Sequence, residues 1–227
     1  MTADELLAEL RALAKPARLA EHARVAAGNA TALGVSVPDI RALAKRAGRD
    51  HALAAELWAT GIHEARQLAA MVDDPALVSE AQMESWVAEF DSWDLCDGVC
   101  SLFERTPFAW QKAYEWPERE EEFVKRAGFV LVVYAAVHDK QAADKLFLDY
   151  LPVLRRHAND DRNFVKKAVN WCLRQIGKRN DTLRVAALAC AQEIRADGTR
   201  PGRWIAADAV QELKRPYGRW RAKWRHR

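Results

Sequence analysis

The sequence predicts an all-α protein made of antiparallel helix pairs. Three observations carry this: apolar residues recur with a 3.6-residue period in almost every segment, no segment alternates convincingly like a strand, and linkers are mostly two to six residues. Taken in order, helices are expected at 2–14, at 16–28 closed by Gly28, and at 38–47 opened by Pro38 and closed by Gly48. The next are 51–59 closed by Gly61, 63–72, 76–90 after Pro75, 92–104, and 107–115 opened by Pro107. The last five are 120–137, 140–157, 161–178, 181–196 and 203–214, and Gly34 also reads as a helix stop. The run Gly128 to Ala136 (GFVLVVYAA) is the one stretch that tempts a strand assignment. It continues EEEFVKRA without a turn signal and has no partner strands, so a fully buried helix is expected.

The 227 residues carry 30% charge beside 50% hydrophobic residues, which argues against disorder and for one core-forming domain. No apolar run approaches the ~18 residues that would span a bilayer, and the start, MTADELLAELRALAKP, lacks the apolar stretch of a secretion signal. Four cysteines in a chain this long do not make a disulfide scaffold, so a reduced, cytoplasmic protein without membrane association is expected.

The net charge of +3 hides an asymmetry. Residues 199–227 hold nine Lys/Arg against two acids, a balance of +7, while residues 1–198 hold 26 against 30, a balance of −4. The tail RPYGRWRAKWRHR interleaves Trp220 and Trp224 with Arg219, Arg221, Lys223, Arg225 and Arg227. Such a tail either seeks phosphate through its cations and rings or packs its two indoles back on the body. The expected organisation is a single repeat domain over residues 1–214 followed by this basic tail over 215–227.

Two-helix units recur every 30 to 45 residues without a tight sequence repeat. That is the pattern of a HEAT-like solenoid, in which each pair buries its face against the next and the curved stack offers a concave surface. A compact helical bundle is the alternative. Nucleotide-cradling glycine motifs are absent. His63-Glu64 begins like a zinc-protease motif, but Gln67 stands where the second histidine belongs. Cys96 and Cys100 have no second ligand pair near them, so they read as packing thiols and no metal is expected.

Two helical stripes carry chemical information. In DDRNFVKKAVNWCLRQIGK, Val165, Ala168, Val169, Cys172 and Ile176 gather on one face, which must be buried. Lys167, Trp171, Arg174 and Lys178 share a second face: either a phosphate-tracking surface with a ring for sugar or base, or a Trp packed on the next repeat with cations reaching water. In DSWDLCDGVCSLFE, Leu95, Val99, Leu102 and Phe103 form the buried stripe, and Trp93 and Asp97 pair at i, i+4 on the opposite side. Asp91 and Asp94 have a plain explanation as cap and first-turn acid, whereas Asp97 lies past the first turn. A carboxylate beside an indole is suited to stabilising a developing cation; the plain alternative is an exposed acid on a polar face. Arg126 interrupts a strongly apolar helix, and so either pairs with an acid inside the fold or points at a ligand phosphate.

From about Leu33 to Lys178 the chain resembles the AlkD family of DNA alkylation-repair glycosylases, which are HEAT-like repeat proteins. The resemblance rests on LGVSVPDIRALAK, ELWATGIHEARQLAAMV, SWDLCD, VKRAGFVL and NFVKKAVNWCLRQIGK in that order. It implies that Trp93, Asp97, Arg126 and Trp171 are the cleft residues and that the partner is double-stranded DNA containing cationic N3- or N7-alkylated purines. It further implies excision without a closed base pocket and without a cofactor. In that picture Trp93 and Trp171 pack on the deoxyribose, Asp97 faces the anomeric carbon, and Arg126 holds a phosphate. Lys167, Arg174, Lys178, Arg219, Arg221 and Lys223 are the expected DNA-binding cations, and a monomer is the default for a surface shaped to a duplex.

Overall fold

A computed structural model describes residues 1–22 and 31–214. The end of the expected second helix with Gly28, and the tail with Arg219, Arg221, Lys223, Trp220 and Trp224, lie outside the described residues. Among the described residues there are thirteen α helices, one short 3-10 turn and no strand. They fall into two compact units, Met1–Ala127 and the residues from Gly128 onward.

The first unit contains α1 (Ala3–Ala12), α2 (Pro16–His22), α3 (Val37–Ala47), α4 (His51–Ala59), α5 (His63–Val72), α6 (Glu80–Ala88), α7 (Trp93–Phe103) and α8 (Ala109–Glu115). The next helix, α9 (Glu122–His138), contributes its first turns to this unit, including Arg126. Helix starts follow side-chain capping: Thr2 and Glu5 form a reciprocal capping box, and Ser36, Asp50 and Ser79 each accept an N–H from the first turn. Ser79 is why α6 begins at Glu80 rather than at 76 as the sequence suggested. Its hydroxyl takes the Gln82 N–H at 3.1 Å, while Asp74 holds the preceding turn through the Ala76 N–H.

Helix α5 lies at the centre, packed on α3, α4 and α7. The core beside it is aromatic. Trp58 and Trp86 stack with centroids 4.0 Å apart, and Phe103 links Trp86 to the buried Trp116. The indole N–H groups are satisfied from the rim, Trp58 by Glu89 at 3.0 Å and Trp116 by Glu84 at 2.9 Å. Buried Lys112 is held by Glu80, Glu84 and Glu115 at 2.6–2.8 Å.

Glu64 is fully buried and accepts three backbone N–H groups, from Leu33, Gly34 and Val35, at 2.7–3.2 Å. This ties the segment before α3 to α5. Gly34 does not close a described helix, contrary to the sequence reading. It lies in that segment at φ +77, and a Cβ there would come within 2.5 Å of the Lys15 carbonyl oxygen.

The second unit contains the rest of α9, then α10 (Asp144–His157), α11 (Asn163–Gly177), α12 (Asp181–Ala196) and α13 (Arg200–Leu213). The tempting run 128–136 is helical, with Phe129, Val130, Leu131, Val132 and Val133 buried. Arg179 closes the end of α9 by donating to the carbonyls of Ala136, Asp139 and Ala142 at 2.8–3.0 Å, its guanidinium 4.2 Å from the Phe147 centroid. Helix α13 starts at Arg200, earlier than the expected 203, because Thr199 caps the Gly202 N–H at 3.1 Å.

Helices α11 and α13 run side by side in the same direction, their partners advancing together: Lys166 with Trp204, Asn170 with Asp208, Arg174 with Asp208 and Glu212, Lys178 with Glu212. No helix among the described residues is long and apolar enough to cross a membrane.

Replacing Gly34 by alanine puts a side chain against backbone at a positive φ, a strain of about 1–3 kcal/mol. Thermal and urea unfolding of Gly34→Ala should both show that loss; an unchanged midpoint would mean the segment relaxes at no cost.

Candidate active site

The α7 register is set by its apolar stripe. Leu95, Val99, Leu102 and Phe103 are buried, which turns Trp93 and Asp97 to the other side of the helix, both partly exposed, with the buried Cys96 and Cys100 beside them. The two thiols are buried and serve as packing groups. Cys96 Sγ donates to the Phe123 carbonyl at 3.5 Å and Cys100 Sγ to that of Ala127 at 3.8 Å. This small-residue row lets α9 approach α7 closely, and the approach brings Arg126 onto Asp97.

The contact is a two-pronged fork. Arg126 Nε donates to Asp97 Oδ1 at 2.9 Å and Nη2 to Oδ2 at 2.8 Å. The side chains are 6% and 14% exposed respectively. Of the two alternatives the sequence left open for Arg126, the structure contains the pairing with an acid. Burial raises the Asp97 carboxyl above its usual range, the Arg126 charge and hydrogen bonds pull it down, the charge of Asp94 pushes it up, and the net shift is upward. Burial pulls the Arg126 guanidinium down, but Asp97 more than compensates.

Sequence reasoning missed what stands behind this pair. His63, the first residue of α5 and 2% exposed, places Nε2 2.9 Å from Asp94 Oδ2. Gln67, one turn later, lies 3.0 Å from the ring nitrogen and donates to the same carboxylate oxygen at 3.3 Å. The glutamine that spoils a metal motif here completes a hydrogen-bonded cluster; the i, i+4 pairing of His63 and Gln67 was the available signal. Burial works against a charged His63, but the hydrogen bond to Asp94 and the charges of Asp94, Glu64 and Asp91 raise it overall. Burial likewise opposes the Asp94 charge, yet the bond to His63 and its charge hold that carboxyl below its usual range. The sign follows by linkage: the pair's stabilisation is lost as pH falls through the lowered Asp94 value and as pH rises through the raised His63 value.

In the second unit the α11 stripe is as expected. Val165, Ala168, Val169, Cys172 and Ile176 are buried, and Trp171 stands partly exposed on the other face. Its ring meets Tyr134 of α9 edge-on at 6.1 Å. Of the cations that share its face, Lys167 is exposed, whereas Arg174 and Lys178 are both paired with Glu212 of α13. Sequence reading also passed over Trp204, an exposed indole with the Lys166 ammonium 5.7 Å from its centroid.

The family signature of DNA alkylation repair enzymes matches residues 6–213, nearly the whole described chain. The chain belongs to the DNA alkylation repair enzyme family. It is also similar to a solved structure from a family described as related to the HEAT-like repeat DNA glycosylases, with affinity for branched DNA structures. The TM-score is 0.77 at 23% identity, covering 85% of this chain and 83% of the other, so this member of the DNA alkylation repair family has the HEAT-like repeat fold. No curated protein matches the sequence.

Truncating one partner of the buried fork leaves a charge stranded. Arg126→Met should destabilise the protein by ~3–5 kcal/mol, measured by urea unfolding at neutral pH. Asp97→Asn, which keeps an acceptor for Arg126, should cost clearly less; equal losses would mean that the carboxylate charge, and not the retained acceptor, is what compensates the buried guanidinium.

Proposed function

We propose that this protein is a DNA glycosylase that hydrolyses the N-glycosidic bond of cationic N3- or N7-alkylated purines in duplex DNA. The observation that carries the reading is Asp97: a carboxylate beside a partly exposed indole, on a helix face turned from the core, kept charged by a buried guanidinium in a chain of the alkylation repair family.

The chemistry suits that apparatus. An alkylated purine already bears a positive charge, so when the bond from C1′ to the base nitrogen breaks, the electron pair neutralises the ring and no acid need protonate it. The unstable species is the deoxyribose oxocarbenium. Asp97 faces that cation, and Trp93 offers it the electron-rich face of an indole. Water adds to C1′ and loses a proton, leaving neutral free base and an abasic sugar. Each Asp97 oxygen accepts one hydrogen bond from Arg126 and keeps lone-pair capacity for that water.

Two unit charges about 4 Å apart at an effective dielectric near 20 attract by roughly 4 kcal/mol. Arg126 offsets part of this, since the fork presents a dipole rather than a bare anion. Even ~3 kcal/mol realised only in the transition state gives on the order of a hundredfold in rate, enough for a labile cationic lesion and far too little for an undamaged base. Arg126 thus positions Asp97 and keeps it ionised. In the second unit, Trp171 and Lys167 share a face of α11 and are the groups there that we assign to contact with DNA, and the expected monomer suits a binding surface of this kind.

A duplex carrying a single 7-methylguanine should release the free base and become alkali-labile on incubation with the protein. Asp97→Asn should lower that rate about a hundredfold while leaving duplex affinity within a fewfold of the parent. Tight binding to branched DNA with no base release from any alkylated duplex would identify a non-catalytic DNA-binding member of the family instead.

A further inference from the structure

The first two turns of α7 carry an acid toward each of two neighbouring helices. Asp94 and Asp97 are one turn apart, both largely buried, and Asp91 precedes them in the chain. Each of the two helical acids has its own cation: Asp97 meets Arg126 on α9, and Asp94 meets His63 on α5. The N-cap residue Ser92 makes no capping hydrogen bond with its side chain, so the first turn is tied to α5 through Asp94 and the next turn to α9 through Asp97. The groups facing the His63 ring are Asp94, Asp91 and Glu64, all anions, with Gln67 as the neutral neighbour. A neutral imidazole there would leave Asp94 unshielded three residues from Asp97.

We propose that His63, as an imidazolium, is a positioning residue that holds Asp94 and the first turn of α7, and so fixes the place and the charge of Asp97 in the reaction. This rests on the glycosylase reading above. His63 is too deeply buried behind α7 to meet the substrate. It acts in two ways: its bond to Asp94 anchors the helix start that carries Trp93 and Asp97, and its charge cancels the repulsion between Asp94 and Asp97. Deprotonation takes the proton from Nδ1, which has no hydrogen-bond partner, and so removes the charge while Nε2–H goes on donating to Asp94. Base release therefore falls as pH rises through the His63 titration, which lies above the ordinary histidine range, and falls on the acid side as Asp97 protonates.

The test is the pH profile of single-turnover 7-methylguanine release from a defined duplex by the whole protein, for the parent, His63→Gln and Asp94→Asn. The parent should show both limbs. His63→Gln keeps a donor for Asp94 but no titratable charge. Its alkaline limb should vanish, its acid limb should move to higher pH, and its maximal rate should drop on the order of ten- to a hundredfold with duplex affinity unchanged. Asp94→Asn should move both limbs to lower pH, because it removes the anion that raises His63 and Asp97 alike.

An alkaline limb retained in His63→Gln, or an active parent with no alkaline limb, overturns the role given to His63 while leaving the glycosylase reading intact. A parent that releases no base at any pH overturns the glycosylase reading itself. Should His63→Gln fail to fold, Asp94→Asn decides alone: limbs that stay in place refute the positioning role.

Discussion

A carboxylate held charged in a largely dry place is the constraint on which the candidate site depends. Burial works against the Asp97 anion, and the fork from Arg126 is what opposes that penalty. The fork exists because Cys96 and Cys100 let α9 lie close against α7, and because Arg126 interrupts an otherwise apolar helix at the level of Asp97. The site therefore draws on packing decisions made by residues with no chemistry of their own. It also carries a stability cost by design, since an isosteric apolar pair in the same place would need no desolvation. Retaining ions where hydrocarbon would serve the fold better argues for a role outside stability.

The tryptophans divide along the same line. Trp58, Trp86 and Trp116 are buried and have their indole N–H or their faces occupied by other aromatics and by rim glutamates. Trp93, Trp171 and Trp204 keep part of their surface outside the core. Core indoles fill the interior of the first unit; the others are large apolar surfaces left accessible beside cations or carboxylates, an arrangement suited to recognition rather than to packing.

Much of this was legible in the sequence because it is periodic. The buried stripes of α7 and α11 follow from 100° steps, and once they are placed, Trp93, Asp97 and Trp171 fall on the opposite faces without further information. Helix starts were legible where a proline or a capping side chain was weighed, and were misplaced where the cap went unread, as at Ser79 behind the turn held by Asp74 and at Thr199. What the sequence could not supply was the identity of partners across helices. That Arg126 meets Asp97, that His63 meets Asp94, and that Glu64 gathers the N–H groups of residues 33–35 are all contacts between residues about thirty apart. Periodicity assigns such residues to faces; only tertiary packing says which faces touch.

The ladder between α11 and α13 has a consequence for how this protein would meet a polyanion. Arg174 and Lys178 already sit against Glu212, and Arg174 also against Asp208. Phosphates approaching that face would displace few condensed counterions through these two side chains unless the acids swing aside. The logarithmic dependence of affinity on ionic strength, roughly 0.9 per neutralised phosphate for B-form duplexes, should then be shallower than a count of the helix's basic residues implies. Association on this surface would lean on ring contact and shape, and would persist at salt concentrations that detach a binder relying on bare lysines.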